Sequence, residues 1–336
     1  MMRGGKSYAP SQNRMPSVSV IIPTHRRPHL LRRAVESARA AGESVEVVVV
    51  DDASADETAR VCRKLAGIKY VRLERNQGVA GARNVGILAS SADYVAFLDD
   101  DDLRLPGSLD LQREALAADQ RAGFACGAML MSDQSYRPTG EVFAPSHPGG
   151  DAFWELLELE FPVMPLSTLI RRECFLRVGL LGRHLSGIDD WDIFVRIAEH
   201  YPVLVTARPV GLYRRPTPSS GQGSSAQAAQ LRRVARHQLQ LLRLPRAQAA
   251  PAGRRRAARG RALNRLADTL LWNAAWQVPR KEFGFACANI LAALRLNPLR
   301  AARPGAYRKL LASLLAERGA GRDEGSASSG EGISGE

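Results

Sequence analysis

Cysteine is scarce. Four occur in 336 residues, Cys62, Cys126, Cys174 and Cys287, far apart and with no C-x-x-C pair. That spacing excludes a zinc-ribbon type of site and a disulfide framework, and it fits a reducing compartment. Long apolar runs are also missing. Nothing approaches the ~18 residues of a membrane span, and the most apolar late stretch, Phe283–Leu294, is too short. Residues 1–16, MMRGGKSYAPSQNRMP, contain no apolar signal core and are expected to form a flexible leader. There is no P-loop. Gly78, Gly81 and Gly86 miss the G-x-G-x-x-G pattern and follow a third expected strand, which excludes a nicotinamide cofactor. Aromatic residues make up only 6% and no nucleic-acid-binding module is recognisable, so no nucleic-acid partner is expected despite a net charge of +13.

What is present is an uneven charge. Residues 225–320 hold 19 Lys/Arg against only Asp268, Glu282 and Glu317, whereas the first two-thirds are close to neutral. The shift falls at PTPSSGQGSS, residues 216–225, which reads as a linker. The expected organisation is a leader at 1–16, a catalytic-type domain at 17–218, a basic helical region at 225–318 and a disordered tail at 319–336. The tail is rich in Gly, Ser and Glu. A hydrophobic content of 45% supports a sizeable core.

The first domain alternates strand and helix signals. Ser17–Pro23 is an apolar, β-branched run ended by proline. His29–Ala41 has helical spacing after Pro28. Val45–Val50 is a second buried strand ending at Asp51-Asp52. Ser54 or Asp56 is expected to cap a helix to about Leu65. Ile68–Leu73, a helix over Val79–Ala89 and the strand from Tyr94 follow. This alternation indicates βαβ units, hence a mostly parallel sheet flanked by helices. In such sheets ligands bind beyond the carboxyl ends of the strands, where Pro23–Arg27, Asp51-Asp52 and Asp99–Asp102 all fall. Further on, strands are expected at Phe124–Met131, Val163–Ile170, Val203–Thr206 and Val210–Tyr213. Helices are expected at Asp151–Glu160, Arg171–Val178 and Asp189–His200.

The densest chemistry is YVAFLDDDD, Tyr94–Asp102, where an apolar run delivers four consecutive carboxylates. Adjacent like charges repel, and a hard divalent cation such as Mg²⁺ or Mn²⁺ removes that repulsion while bridging to a diphosphate. The plainer alternative is a solvated acidic turn.

VSVIIPTHRR, VVVVDDASADET, NQGVAGARNVGI, YVAFLDDDD and SGIDDWDIFVRIAEH stand in the order and at about the spacing of the family 2 glycosyltransferases. The chain resembles that family over about Ser17–Arg215. The resemblance implies a GT-A nucleotide-binding domain and an inverting transfer from a nucleotide-diphosphate sugar, with UDP-sugars favoured. The acceptor would be a glycan or lipid-linked hydroxyl, as in bacterial cell-surface polysaccharide or glycolipid synthesis. By position, Pro23, Thr24, His25 and Arg27 resemble the first nucleotide-contacting loop, and Asp52 the carboxylate that accepts from the base. Arg83 resembles the basic residue near base or diphosphate. Asp99-Asp100-Asp101 match the D-x-D, with Asp101 and Asp99 the metal ligands and Asp100 beside the donor. Asp190 resembles the catalytic base that takes the acceptor's proton, with Asp189 and Trp191 on the acceptor side. Three positions depart from the family pattern: His25 where Tyr is frequent, Asp189 where Glu is usual, and Pro216 where a histidine commonly ends Tyr-Arg-x-His. Arg214 and Arg215 remain as diphosphate candidates.

Each residue also has a structural explanation. Acids at a helix start are favoured by the macrodipole, Trp191 on a helix is commonly core, Asp51 or Asp102 can serve as caps, and His147 and His184 lie in loops. A non-catalytic sugar-nucleotide or glycan-binding module is the competing function. A pyrophosphorylase would need a glycine-rich loop where PTHRRP stands. Helices expected at Gln227–Leu244, Ala257–Gln277, Glu282–Leu296 and Tyr307–Glu317 either pack with a solvated arginine face or lie on an anionic membrane surface. The expected location is the cytoplasm, peripheral on the inner face of the membrane in the second case.

Overall fold

The computed structural model describes residues 17–185, 187–215, 233–234, 236–278 and 281–302. The chain divides into two compact units, Met1–Arg215 and Pro216–Glu336.

The first unit is built on one mixed sheet. Among the described residues nine strands take the order β3-β2-β1-β4-β8-β6-β9-β5, with β7 paired to β6. β1 (Val18–Thr24) is buried along its whole length. It lies between β2 (Val45–Asp51) and β4 (Tyr94–Phe97), parallel to both, and β3 (Ile68–Arg72) extends the parallel half. A strand covered by helices on both faces is mostly apolar, and VSVII is apolar except for Ser19, whose buried hydroxyl donates to Glu46. α1 (Pro28–Ala40) has proline at its first turn and buries Leu30, Leu31, Ala34, Val35 and Ala38 on one stripe. α3 (Gly78–Ala89) crosses β1 so closely that a Cβ at Gly86 would run into the Ile21 side chain. Gly86 of NQGVAGARNVGI therefore serves helix–sheet contact.

Beyond β4 the sheet changes character. β8 (Thr168–Arg171) lies antiparallel between β4 and β6 (Phe124–Ser132), and β9 (Val203–Arg214) runs parallel to β6. The two short strands expected at 203–206 and 210–213 are one strand, interrupted by register shifts opposite Gly127–Met129. The strand expected at 163–170 begins later, because Pro165–Ser167 forms a 3-10 turn. The helix expected over 151–160 is α5, Phe153–Leu157 only, and that expected from Ser54 is α2, Thr58–Lys64. Ser54 does not cap it: its amide donates to Asp51 and its hydroxyl accepts from the Arg26 amide. α6 (Arg172–Val178) and α7 (Asp189–Ala198) lie where expected.

In the first unit β5 (Leu103–Arg104), α4 (Ser108–Ala118) and β7 (Pro138–Phe143) had no counterpart in the sequence expectations, and in the second neither did the short helices Pro245–Ala249 and Pro298–Ala301. α4 buries Leu109, Gln112 and Leu116 on one stripe. Gln112 is there to receive the buried Arg104 guanidinium and to donate to the Ala125 and Ser167 carbonyls.

In the second unit the described part is helical. Ala252–Gln277 packs Leu266, Ala267, Leu270 and Leu271 against Ala293 of the helix Phe283–Leu296 and Ala301 of the short helix Pro298–Ala301. Asn297 caps that last helix by accepting from the Arg300 amide. No helix among the described residues is long and apolar enough to cross a membrane. The leader, the tail, the linker at 216–225, the first residues of the helix expected at Gln227–Leu244 and the helix expected over 307–317 lie outside the described residues.

Candidate functional site

The parallel half of the sheet delivers three polar segments to one edge. At the end of β1, the Thr24 hydroxyl donates to Asp100 Oδ2 at 2.7 Å, tying the first loop to the acidic run. At the end of β2 the two aspartates divide their tasks. Asp51 accepts from the Ser54 amide and the Tyr70 hydroxyl, both at 2.8 Å, and so closes the turn. Asp52 accepts from the amides of Gln77 (2.6 Å) and Gly78 (2.9 Å). Gly78 holds φ +74°, the left-handed conformation that glycine adopts without strain. Asp52 thus fixes the entry to α3, and a carboxylate with two amides retains acceptor sites for a ligand N–H. His25 Nδ1–H donates to the Asp52 carbonyl at 2.8 Å, since a carbonyl only accepts.

The four carboxylates after β4 do not converge on one point. Asp100 and Asp102 are buried and bound into the scaffold: Asp100 to Thr24, Asp102 to the Arg214 amide of β9 at 2.8 Å. Asp99 and Asp101 are partly exposed, at 44% and 27% of their side chains. Each meets a guanidinium, Asp99 that of Arg83 at 2.7 Å and Asp101 that of Arg27 at 2.8 Å. Burial pushes the Asp100 carboxyl up to about 7, against the Thr24 bond and the Arg27 charge. Burial and the charge of Asp99 raise Asp101 and lift Asp102 well above the carboxylate range. Two guanidiniums thus pair with this run of four carboxylates, and that of Arg83 is shared with Asp189.

Arg83 carries the edge across to α7. Buried beside the Phe97 ring, it donates to Asp99 and, at 3.4 Å, to Asp189. Asp189 also accepts from the Gly187 amide. Burial lifts its carboxyl to about 6, with Arg83 opposing. Asp190 is half-buried, accepts from the Trp191 amide at 2.8 Å, and is likewise raised by burial against the pull of Arg83.

The bonds fall into groups along this edge: Thr24, Arg27, Asp100 and Asp101 form one, Arg83, Asp99 and Asp189 a second, and His25 with Asp52 a third, tied to the first by the Asp52 amide donating to the Thr24 carbonyl; Asp190 follows Asp189 at the helix start, and Pro23 is buried in β1. Trp191 requires a correction. It was expected beside the acceptor, but it is 9% exposed and its indole N–H is bonded to the Leu156 carbonyl, so its ring belongs to the core. Arg83, expected at the base or diphosphate, is engaged by two carboxylates. The side chains of Arg214 and Arg215 are turned to the Gln134 carbonyl and to Glu141. His147 stacks on Phe161 and accepts from the Gly149 amide. Tyr136, which the sequence did not single out, lies between the guanidiniums of Arg33 and Arg214, 4.5 and 5.3 Å from its ring centre. Its left-handed φ of 65° and its loop position have no signature in residue spacing.

Among the described residues no group of three or more His, Cys, Asp or Glu is arranged as a ready-made metal cage. The donors still fit a hard cation. Asp99 and Asp101 offer partly exposed carboxylate oxygens in a run of four acids with which Arg27 and Arg83 pair, and Mg²⁺-type ions take one or two carboxylates and complete their shell with phosphates and water.

An α/β sheet whose ligand edge carries these segments has the GT-A architecture, continued by a helical C-terminal region. Residues 19–162 match the family model described as glycosyl transferase family 2, so the first unit carries a glycosyl transferase family 2 domain. An uncharacterized glycosyltransferase of Haemophilus influenzae is 25% identical over 185 residues, 54% of this chain and 62% of that protein. The GalNAc(5)-diNAcBac-PP-undecaprenol beta-1,3-glucosyltransferase of Campylobacter jejuni is 41% identical over 102 residues, 28% of this chain and 33% of that protein. The chain thus spans less than two-thirds of either relative. Among solved structures, S. aureus TarS 1-349 superposes with a TM-score of 0.59 at 17% identity, covering 92% of each chain. The mannosyltransferase PcManGT of Pyrobaculum calidifontis, in complex with GDP-Man and Mn²⁺, superposes at 0.54 with 19% identity, covering 92% of this chain and 88% of that one.

Proposed function

We propose that the chain is a metal-dependent, inverting glycosyltransferase that moves a sugar from a nucleotide-diphosphate sugar to an acceptor hydroxyl, in the synthesis of a surface polysaccharide or glycolipid. The observation that carries this is the Arg83 bridge. It joins the loop that would hold the donor's phosphates, through Asp99, to the helix start that carries Asp189 and Asp190. An inverting single displacement needs a base and a stabilised leaving group on opposite sides of one carbon.

In this reading Asp52 and the Pro23–Arg27 loop seat the nucleoside, with His25 oriented by the Asp52 carbonyl. Asp101 and Asp99 would hold Mg²⁺ or Mn²⁺, which supplies Lewis-acid stabilisation of the departing diphosphate. Asp190 accepts the acceptor's hydroxyl proton as the new bond forms. Its pKa, raised by burial, brings it nearer to the range in which a general base works best. Asp189 holds Arg83, and the Gly182–Asp190 segment flanks the acceptor. The catalytic domain would extend over 17–218.

The basic region at 225–318 is proposed to lie on an anionic membrane surface at the cytoplasmic face, which suits a lipid-linked acceptor. Exposed Trp272, on the helix that carries Arg254–Arg256, and exposed Phe283, Phe285 and Leu291, on the helix that carries Arg295, support this. Flotation with anionic but not neutral liposomes is the expected result, and equal recovery with both removes this part.

The test of the activity is a panel of nucleotide sugars with Mn²⁺ or Mg²⁺, followed by nucleotide diphosphate release and thermal stabilisation. At least one donor should give both. No response to any donor, with or without metal, overturns the proposal.

A further inference from the structure

Two arginines pair with the acidic run, and they are held very differently. Arg83 is 5% exposed, packed on Phe97 and shared between Asp99 and Asp189. It cannot leave without depriving the buried Asp189 carboxylate of its cation. Arg27 is 41% exposed and makes both its ion pairs through one nitrogen, Nη1, 2.8 Å from Asp101 and 3.3 Å from Asp100. It stands just before α1, after Arg26 turns the chain through a left-handed φ of 56° and ahead of Pro28. Its backbone is fixed while its side chain reaches in from solvent. Asp100 does not depend on Arg27 for its position, because Thr24 holds its other oxygen.

We propose that Arg27 is an exchangeable counter-ion. With no donor bound, its guanidinium neutralises Asp101 and Asp100; when a divalent cation takes its place on Asp101, it moves to the donor's diphosphate. This rests on the function proposed above. The physical argument is one of competition. A guanidinium and a metal ion on the same carboxylate repel each other, so metal alone enters against Arg27. A diphosphate supplies the anion that draws Arg27 away, and a guanidinium matches phosphate oxygens in charge and in bidentate geometry. Metal and nucleotide therefore favour each other's binding, a coupling carried by one side chain. Arg27 is in this sense a positioning residue, not a proton-transfer group.

The experiment is a titration of the full-length chain with Mn²⁺, following free Mn²⁺ by electron paramagnetic resonance, alone and with UDP or GDP. In the wild type, Mn²⁺ alone should bind weakly and one nucleotide should tighten it, within the roughly 5–150-fold range usual for such coupling. Arg27→Gln removes the competitor, so Mn²⁺ without nucleotide should bind about tenfold more tightly, while nucleotide affinity in saturating Mn²⁺ falls. Arg27→Met should behave alike and guards against a folding defect peculiar to Gln; thermal melting reports on both. Arg27→Lys keeps a cation near Asp101 and should leave Mn²⁺ binding without nucleotide close to wild type. Unchanged or weaker Mn²⁺ binding without nucleotide in folded Arg27→Gln and Arg27→Met overturns the exchange. If nucleotide-dependent Mn²⁺ binding persists in the wild type, the proposed function stands even then. Absence of Mn²⁺ binding with either nucleotide in the wild type overturns both.

Discussion

Two acidic stretches are bridged by Arg83, Asp99–Asp102 in a loop after β4 and Asp189–Asp192 at the start of α7. Both divide between scaffold and site, in different ways. In the loop the division alternates: Asp100 and Asp102 are buried and bonded to β1 and β9, while Asp99 and Asp101 face outward to arginines. On the helix, Asp189 and Asp192 are buried against Arg83 and Arg196, and Asp190 alone among the three carboxylates is half-buried. Backbone geometry underlies the difference. Asp99–Asp102 is a turn, closed by the Asp102 amide donating to the Asp99 carbonyl, whereas a helix start places residues i and i+3 on one face. A run of like residues is therefore several sites with separate tasks.

Substitutions test this division, the largest effect first. Asp190→Asn should lower turnover by about 10²–10⁴-fold, the usual worth of a general base, with nucleotide binding and melting temperature nearly unchanged. Its neighbour Asp192→Asn should do the reverse. It breaks a 2.6 Å buried pair with Arg196, at a cost of up to about 3 kcal/mol in denaturant unfolding, the low end for such pairs. Arg196 keeps the Val178 and Leu180 carbonyls. In the loop, Asp102→Ala orphans the Arg214 amide and should cost about 1–3 kcal/mol of stability. Asp101→Asn should instead spare stability and weaken metal-dependent nucleotide binding by about tenfold, some 1.4 kcal/mol. If Asp101 and Asp102 variants behave alike, the alternation is wrong.

The smallest effect is on pH dependence. Asp100 holds its proton more tightly folded than unfolded, with a carboxyl at about 7 against an ordinary value of 3.8. The folded state therefore binds more protons between those values, and stability falls as pH rises through that window. Asp101 and Asp102 are raised in the same direction, so Asp100→Asn should flatten the slope of melting temperature against pH only in part. An unchanged slope removes Asp100 from that account.

The same contrast governs what could be read without the structure. β1, β2 and β4 were legible because strands buried on both faces are continuous apolar runs, and their ends placed Thr24, Asp52 and Asp99–Asp101 on one edge. α4 was not legible, because Gln112 interrupts its apolar stripe to serve Arg104. β5 is two residues long and exists only through its pairing with β9, and the break within β9 is a bulge set by β6. Nor did spacing reveal how each acid is used. That Asp52 holds the Gln77 and Gly78 amides, that Trp191 is locked to Leu156, and that Arg83 bridges two carboxylates are all contacts between distant segments.

The central claim is that the edge joined by Arg83 transfers sugar with Asp190 as base. The most direct measurement is nucleotide diphosphate release from the best donor, in Mn²⁺, by wild type and Asp190→Asn side by side with their donor affinities. The account predicts release by the wild type, near-background release by Asp190→Asn, and equal donor binding by both. Wild-type rates from Asp190→Asn would contradict it.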